Sequence, residues 1–254
     1  GRTDSNARMT CQVDSMLLGP FLIPADSMGS ELIVPLSRLT ASSVFESIEF
    51  KFYGSVPEVD AIGMLPDTGL VFHNIAMRGS SGTLFRQLDR TQFSTQLKSH
   101  DVGMILLQFG GNAVPYISDT AAVKRYGEWF ASQIRLFQTI LPNAAIVVIG
   151  PSDMATKEEQ YMITYPMLVP VRNALRQAAL NEDVLYWDVF EVMGGAGSMA
   201  AWVASSPALA SSDHVHFTRR GAKKIASLLL QSLDAEWGAW EHWYSENTPA
   251  QPLP

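Results

Sequence analysis

The sequence contains a single cysteine, Cys11, among its 254 residues. One thiol cannot form an internal disulfide framework, and it provides no cluster of cysteine metal ligands. No apolar run reaches the ~20 residues that a membrane-spanning helix requires, and residues 1–5 lack the apolar centre of a signal peptide. The sequence therefore predicts no membrane span, and we expect either a cytoplasmic protein or one whose leader has been removed.

Basic residues are also scarce, since 18 Lys and Arg stand against 25 Asp and Glu, which gives a net charge of −7. Nucleic-acid affinity depends on clustered Lys and Arg, so this balance argues against a nucleic-acid partner. No turn carries the glycine-rich phosphate pattern followed by an acidic residue, which argues against a nucleotide-binding flavodoxin-like protein. The sequence predicts neither a cofactor nor a metal site.

The first part of the chain has the pattern of short antiparallel strands. Apolar or alternating runs are separated by Gly, Pro, Ser and Asp. The predicted strands cover residues 9–13, 31–36, 45–53 and 59–64. We expect residues 1–68 to form a small β-sandwich portion.

From residue 69 to residue 245, apolar strands alternate with helical periodicity, which predicts a parallel sheet covered by helices on both faces. The predicted strands are residues 70–77, 102–109, 145–150 and 184–190. The predicted helices are residues 82–100, 120–141, 171–180, a short one ending at 204 and a long one from 219 that packs its Trp and Tyr residues. The predicted fold class is α/β, a flavodoxin-like three-layer α/β/α sandwich, and we expect residues 246–254 to form a loose tail.

Two residues before the last helix carry the sharpest chemical signal. Asp213 and His216 are three residues apart with no Gly or Pro between them. That spacing places both on one turn, where a carboxylate can orient the imidazole that moves protons in a hydrolase. His214 would point away from the carboxylate. The alternative for this stretch is a solvated loop in which Thr218 only caps the following helix.

Glycines and an asparagine follow the first two predicted strands of this part. Gly79 follows residues 70–77, and Gly110-Gly111-Asn112 follows residues 102–109. The carboxyl ends of parallel strands meet at one edge of a sheet, so these groups should lie near the Asp213 stretch. Backbone N–H groups at glycine turns and the Asn112 amide can form an oxyanion hole. Taken singly, each glycine could equally make a tight turn and nothing more.

These motifs resemble those of the SGNH, or GDSL, hydrolase superfamily of esterases and lipases, over residues 71–230. Gly110-Gly111-Asn112 is similar to the G-x-N-D motif, Asp213 to His216 is similar to D-x-x-H, and Gly79 matches the glycine of the second motif. By that resemblance His216 is the general base and Asp213 orients it. Gly79, through its N–H, and Asn112, through its side chain, are the oxyanion donors.

Residues 189–195 and 217–221 resemble bacterial members that act on cell-envelope or plant saccharides. In those members a small β-sandwich is often inserted after the first motif, and residues 9–66 look like the remainder of one. The resemblance therefore implies that the β-sandwich portion over residues 1–68 is jelly-roll-like and helps to hold a carbohydrate. The resemblance implies a serine esterase that removes acyl groups, with acetyl expected, from an acylated saccharide or peptidoglycan-like polymer. It also implies a periplasmic or secreted location. The alternatives are a non-catalytic carbohydrate-binding SGNH-like domain and a fragment that lacks its nucleophile.

The sequence departs from the family pattern at two places. Ala113 stands where an Asp usually follows the Asn, and the G-D-S motif that carries the serine nucleophile is not present. Ser27 follows an Asp, but Pro24 breaks the strand that should lead into such a turn. Ser81 lies on a strand-to-helix turn that the resemblance already assigns to an oxyanion donor. The nucleophile is therefore unidentified.

In the family the sheet order is 2-1-3-4-5, and the four predicted strands correspond to the second through the fifth. A sheet without its central strand leaves backbone groups unpaired, each costing roughly 1–3 kcal/mol. We therefore expect the central strand and the nucleophilic serine to come from a segment outside this numbering, upstream of it. The alternative is that residues 17–23 enter the sheet and present Ser27.

Overall fold

The computed structural model describes residues 7–23, 32–34, 36, 46–55, 57, 59, 62–65 and 68–247. Contacts divide the chain into two compact units, Gly1–Ala76 and Met77–Pro254. The first unit contains an antiparallel sheet, and the second contains a parallel sheet and a separate two-stranded hairpin.

The first unit is built on a three-stranded antiparallel sheet. Its strands are β1 (Arg8–Val13), β2 (Met16–Leu22) and β3 (Ile48–Tyr53), in the order β2-β1-β3. Met9, Cys11 and Val13 alternate along β1 and pack in one buried apolar cluster, because every second residue of a strand points to the same face. Thr10, which lies between two of them, is also buried. The strands predicted at residues 9–13 and 45–53 are confirmed, although the second begins at Ile48.

The other predictions for the N-terminal part are not confirmed. The described residues of this unit form no second sheet, so the β-sandwich stays a prediction. The described residues within 59–64 form no strand. Within 31–36, residues 32–34 and 36 form no strand either, and residues 31 and 35 lie outside the described residues. Residues 17–23 belong largely to β2, which pairs with β1, so their predicted alternative entry into the parallel sheet is wrong. Ser27 lies outside the described residues.

The second unit contains the remaining strands and all of the α-helices found in the described chain. The strands are β4 (Met104–Gln108), β5 (Ala145–Ile149), β6 (Ala155–Glu158), β7 (Tyr161–Thr164) and β8 (Leu185–Trp187). The helices are α1 (Arg90–Ser99), α2 (Thr120–Ile140), α3 (Leu168–Asn181), α4 (Val189–Met193), α5 (Ser198–Ala204) and α6 (Arg219–Asn247). The parallel sheet has the order β4-β5-β8, and β6 pairs with β7 as an antiparallel hairpin.

Helices cover both faces of the parallel sheet. Val148 of β5 packs in a buried cluster with residues of α2 and α3, including Phe130 and Leu175. Its neighbour Val147 packs in a second cluster with residues of α5 and α6, including Met199. Because successive strand residues point to opposite faces, this alternation fixes a helical layer on each side. The predicted α/β class with a parallel sheet is confirmed at this level.

The beginning, the buried face and the end of α2 each follow from its local sequence. The Asp119 carboxylate accepts a hydrogen bond from the Ala122 N–H at 2.7 Å and caps the first turn. Phe130 and Ile134, four residues apart, are fully buried, and such burial stabilises by roughly 1.5–3 kcal/mol for each side chain. The helix ends two residues before Pro142, which cannot continue it. The predictions for α2, α3, α6 and β5 are confirmed.

The prediction of a strand at residues 70–77 is wrong. These residues pair with none of the described strands, and Leu70 and Phe72 are 96% and 73% exposed. A short apolar run has the composition of a strand, but it becomes one only when a neighbour supplies backbone hydrogen bonds. β4 also has an open edge in the described sheet and is only partly buried, so its predicted burial on both faces is wrong.

The structure differs from the sequence prediction in three further places. Residues 189–193 form α4, because Asp188 caps a helix there, so the strand predicted at 184–190 shrinks to β8. The β6–β7 hairpin was not predicted. The predicted aromatic stripe packs only along α6 itself, where the Trp240 ring contacts those of Trp237 and Tyr244, whereas Trp237 and Trp243 are more than half exposed. Within the described residues, no helix is both long and apolar enough to cross a membrane.

Candidate active site

Asp213 and His216 form a hydrogen-bonded pair in the loop before α6. The Asp213 Oδ2 atom lies 2.8 Å from His216 Nδ1, and Asp213 Oδ1 accepts the backbone N–H groups of Val215 at 2.9 Å and His216 at 3.0 Å. Because an ionised carboxylate can only accept, Nδ1 carries the proton. In a neutral ring Nε2 is then the basic nitrogen, the one that a general base uses.

The same contacts keep the Asp213 carboxylate ionised. The pKa of Asp213 is lowered to about 2, first by the backbone N–H of His216, then by the His216 side chain and then by the backbone N–H of Val215. Each of these donors stabilises the charged form and leaves the neutral acid without an equivalent partner. The carboxylate therefore remains available to hold an imidazolium at any pH at which an imidazole titrates.

His214 occupies a different position in the loop. Its φ angle is +58°, its N–H donates to the Ser211 carbonyl at 3.0 Å, and its carbonyl accepts from the Ala155 N–H at 2.9 Å. These backbone contacts tie the loop to the start of β6. The His214 side chain makes no hydrogen bond with Asp213, and its Nδ1 atom is buried without a partner among the described residues. The imidazole that the spacing selects, His216, is the one that Asp213 holds.

The end of the loop is fixed against α6. Thr218 N–H donates to the Leu209 carbonyl at 3.0 Å, and Thr218 Oγ1 accepts from the Gly221 N–H at 3.2 Å. A Cβ atom on Gly221 would lie 1.9 Å from the Leu209 carbonyl oxygen, so glycine is required for this approach. Thr218 does cap α6, as the alternative interpretation held, and the cap coexists with the Asp213–His216 pair.

Asp153 is a buried carboxylate in the segment after β5, and the sequence did not predict it as a site residue. Its side chain is fully buried and accepts from Thr164 Oγ1 at 2.8 Å, from the Met199 N–H at 2.8 Å and from Ser198 Oγ at 3.4 Å. These donors satisfy the charge and join β7 and α5 to the segment after β5. Since Ala155 anchors His214 two residues further on, Asp153 supports the loop that carries His216.

Gly79 and Asn112, the predicted oxyanion donors, line one groove of about 560 Å³. Asn112 Nδ2 donates one hydrogen bond to the Ser80 carbonyl at 3.1 Å and retains a second N–H. Gly79 has a φ angle of +76°, and its N–H donates to no described residue. The Asn112–Ser80 bond therefore joins the two turns, with two donors left for a ligand.

The glycine at the end of β4 is needed for close packing. Gly110 has a φ angle of +111°, and a Cβ atom there would lie 2.8 Å from a Leu175 methyl group. Its carbonyl accepts from the Ala113 N–H at 2.9 Å, which shapes the turn that presents Asn112. The Gly110-Gly111 pair thus makes a tight turn and positions a donor at the same time.

The structure brings the site residues together as two pairs. The residues that line the groove include Gly79 and Asn112 but neither Asp213 nor His216. No serine hydroxyl of the described chain hydrogen-bonds to His216, and Ser81 Oγ instead lies 3.1 Å from Thr83 Oγ1. The described residues also contain no group of three His, Cys, Asp or Glu side chains that could hold a metal ion. The catalytic roles and the nucleophile stay predictions.

No protein-family model matches the chain, and no curated protein sequence matches it. Among solved structures, the chain is similar to a peptidoglycan O-acetylesterase, with a TM-score of 0.54, 23% identity, and coverage of 62% of this chain and 44% of that chain. A protein from Lactobacillus plantarum matches at a TM-score of 0.43 and 16% identity, over 56% of this chain and 72% of that chain. The first likeness shows a shared fold, and this chain spans less than half of that esterase chain.

Proposed function

We propose that this protein is an SGNH-type serine esterase that removes acetyl groups from a carbohydrate or peptidoglycan-like polymer, in the periplasm or outside the cell. The observation that carries the proposal is the Asp213–His216 pair, with its 2.8 Å contact between Oδ2 and Nδ1. The groove that contains Gly79 and Asn112 supports it, as does the fold shared with a peptidoglycan O-acetylesterase.

Each group has a defined task in the proposed reaction. His216 Nε2 takes the proton of a serine hydroxyl as that oxygen attacks the acetyl carbonyl, and Asp213 stabilises the resulting imidazolium. The Gly79 N–H and the free N–H of Asn112 receive the negative charge that develops on the carbonyl oxygen. His216 then gives its proton to the departing sugar oxygen. A water molecule, activated by the same imidazole, hydrolyses the acetyl-serine and restores the site.

The nucleophile is proposed to lie on a strand that pairs with the open edge of β4. In the described sheet β4 pairs only with β5, so one row of its backbone N–H and C=O groups is free to accept another strand. A parallel strand at that edge would end beside Asn112, on the same edge of the sheet as the loop that carries His216. A serine at its carboxyl end would then complete the site.

The experiment is to incubate the protein with p-nitrophenyl acetate and with a fluorophosphonate probe. We expect turnover, and labelling of one serine that mass spectrometry locates at the end of a strand. The His216→Ala variant is the control and should lose both signals, because the serine is no longer activated. Labelling of Ser27 or Ser81 would contradict the proposed position of the nucleophile.

The competing function is a non-catalytic carbohydrate-binding domain of the same fold, or a fragment that lacks its nucleophile. One observation favours it, which is that no serine hydroxyl of the described residues meets His216. Absence of both turnover and labelling, with retained saccharide binding, would contradict the esterase and favour these two alternatives.

A further inference from the structure

The groove extends beyond the two predicted oxyanion donors to a cation and two aromatic side chains. Arg125 and Trp129 lie four residues apart on α2 and line the groove together, and Tyr116 lines it from the turn that follows Asn112. Tyr116 and Trp129 are 87% and 48% exposed, so their rings are accessible to a ligand. The groove therefore combines aromatic surface and a positive charge with the Asn112 amide.

Arg125 is distinguished by its position, because it is the basic residue that lines the groove. Like most of the described Lys and Arg residues, it has no carboxylate partner among the described residues. Its neighbour Lys124 pairs with Glu128 at 3.8 Å, Arg135 pairs with Glu182, and Arg172 pairs with Asp188 and Glu191. In a protein with a net charge of −7, an unpaired cation beside the predicted reaction site is a specific electrostatic feature. A guanidinium binds a carboxylate through two parallel hydrogen bonds, a geometry that selects planar anions.

We propose that this groove binds the polymer next to the scissile ester and that Arg125 selects substrates that carry a carboxylate. The inference rests on the proposed esterase function for the position of the ester, and it adds the substrate class: an acetylated glycan that bears carboxylate groups. Tyr116 and Trp129 give flat, largely apolar faces on which a sugar ring packs, with polar tips that tolerate water. Arg125 supplies the charge complement that a neutral polysaccharide would leave unused.

A pair of matched ligands tests the charge. One is a disaccharide-tetrapeptide released from peptidoglycan, and the other is the same molecule with its carboxylates converted to methyl amides. Binding to the full chain is measured by isothermal titration calorimetry. We expect the acidic ligand to bind roughly five- to tenfold more tightly than the amidated one, a preference that decreases with added salt. Equal affinities, or no binding of the acidic ligand, would overturn the inference.

Two substitutions assign the effect to residues. Arg125→Gln should weaken binding of the acidic ligand by about five- to tenfold and leave the amidated ligand unchanged. Lys124→Gln is the matched control, because it removes the same charge from the same helix at a residue that does not line the groove. An equal loss in both variants would show a general charge effect and contradict a role for Arg125. Trp129→Ala should weaken both ligands, and unchanged binding would contradict the aromatic contact.

These measurements do not depend on turnover, so the two proposals can fail separately. Arg125-dependent binding without any hydrolysis of p-nitrophenyl acetate would refute the esterase and retain the carboxylate preference. Hydrolysis combined with equal binding of the acidic and amidated ligands would retain the esterase and refute the preference.

Discussion

The Asp213 carboxylate holds His216 by both its side chain and its backbone. Oδ2 lies 2.8 Å from the ring Nδ1, and Oδ1 accepts the backbone N–H of the same residue at 3.0 Å. The side chains of His216 and Asp213 are 78% and 50% exposed, so the pair forms without support from a buried environment. The proposed base is thus oriented by its own loop, independently of the nucleophile.

The first prediction concerns the two histidines of this loop. His216→Ala should lower esterase turnover by on the order of 10⁴-fold, because it removes the base while the oxyanion donors remain. His214→Asn is the control, since Asn tolerates the positive φ angle and His214 makes no hydrogen bond to Asp213. It should retain most of the turnover. A larger loss for His214→Asn than for His216→Ala would reverse the assignment.

Asn112 should act in the transition state. If its free N–H meets the developing oxyanion, Asn112→Ala lowers kcat by roughly 10²- to 10³-fold and leaves KM nearly unchanged. Asn173→Ala, at an exposed position of α3, is the matched control and should change neither constant. Steady-state kinetics separates the outcomes. A rise in KM alone would show that Asn112 positions substrate instead.

The titration of Asp213 gives a prediction that needs no enzymatic activity. Its folded-state pKa of about 2 lies below the ordinary value of about 3.9. The stabilisation that this carboxylate gives the loop is therefore complete above about pH 4 and is lost as the pH falls through about 2. NMR of the carboxyl carbon measures the pKa directly.

In the His216→Ala variant, the two backbone N–H donors to Asp213 remain while the imidazole is lost. The pKa should then rise only part of the way, because the largest cause of the shift is the backbone N–H of residue 216. A wild-type value near 4, or a complete return to 4 in the variant, would contradict the structure of this loop.

Two glycines of α6 should respond in opposite directions. Gly221→Ala places a Cβ atom 1.9 Å from the Leu209 carbonyl oxygen, so the loop must move, at a cost of about 1–3 kcal/mol in unfolding free energy. Gly238→Ala meets no atom within 4 Å and should stabilise the helix by about 0.5–1 kcal/mol. Urea denaturation measures both changes. Equal effects of the two substitutions would refute the close approach at Gly221.

Several parts of the fold follow from local sequence patterns. The stripe that includes Phe130 and Ile134 predicts α2, because helical periodicity alone decides which side chains share a face. The Asp213–His216 contact was predictable for a similar reason, since its donors and acceptors lie within three residues of one another. Asn112 was identified by its place after a strand, whereas its bond to Ser80 joins residues 32 positions apart.

The sequence by itself determined the α/β class, the main helices and the local geometry of the Asp213–His216 turn, because each depends on interactions between near neighbours. Only the tertiary structure decided that residues 70–77 stay outside any sheet, because a strand needs a partner that composition cannot supply. It also decided that three donors surround Asp153 and that Tyr116 and Arg125 line one groove. Such contacts join separate elements, and their positions are set by how the helices pack on the sheet.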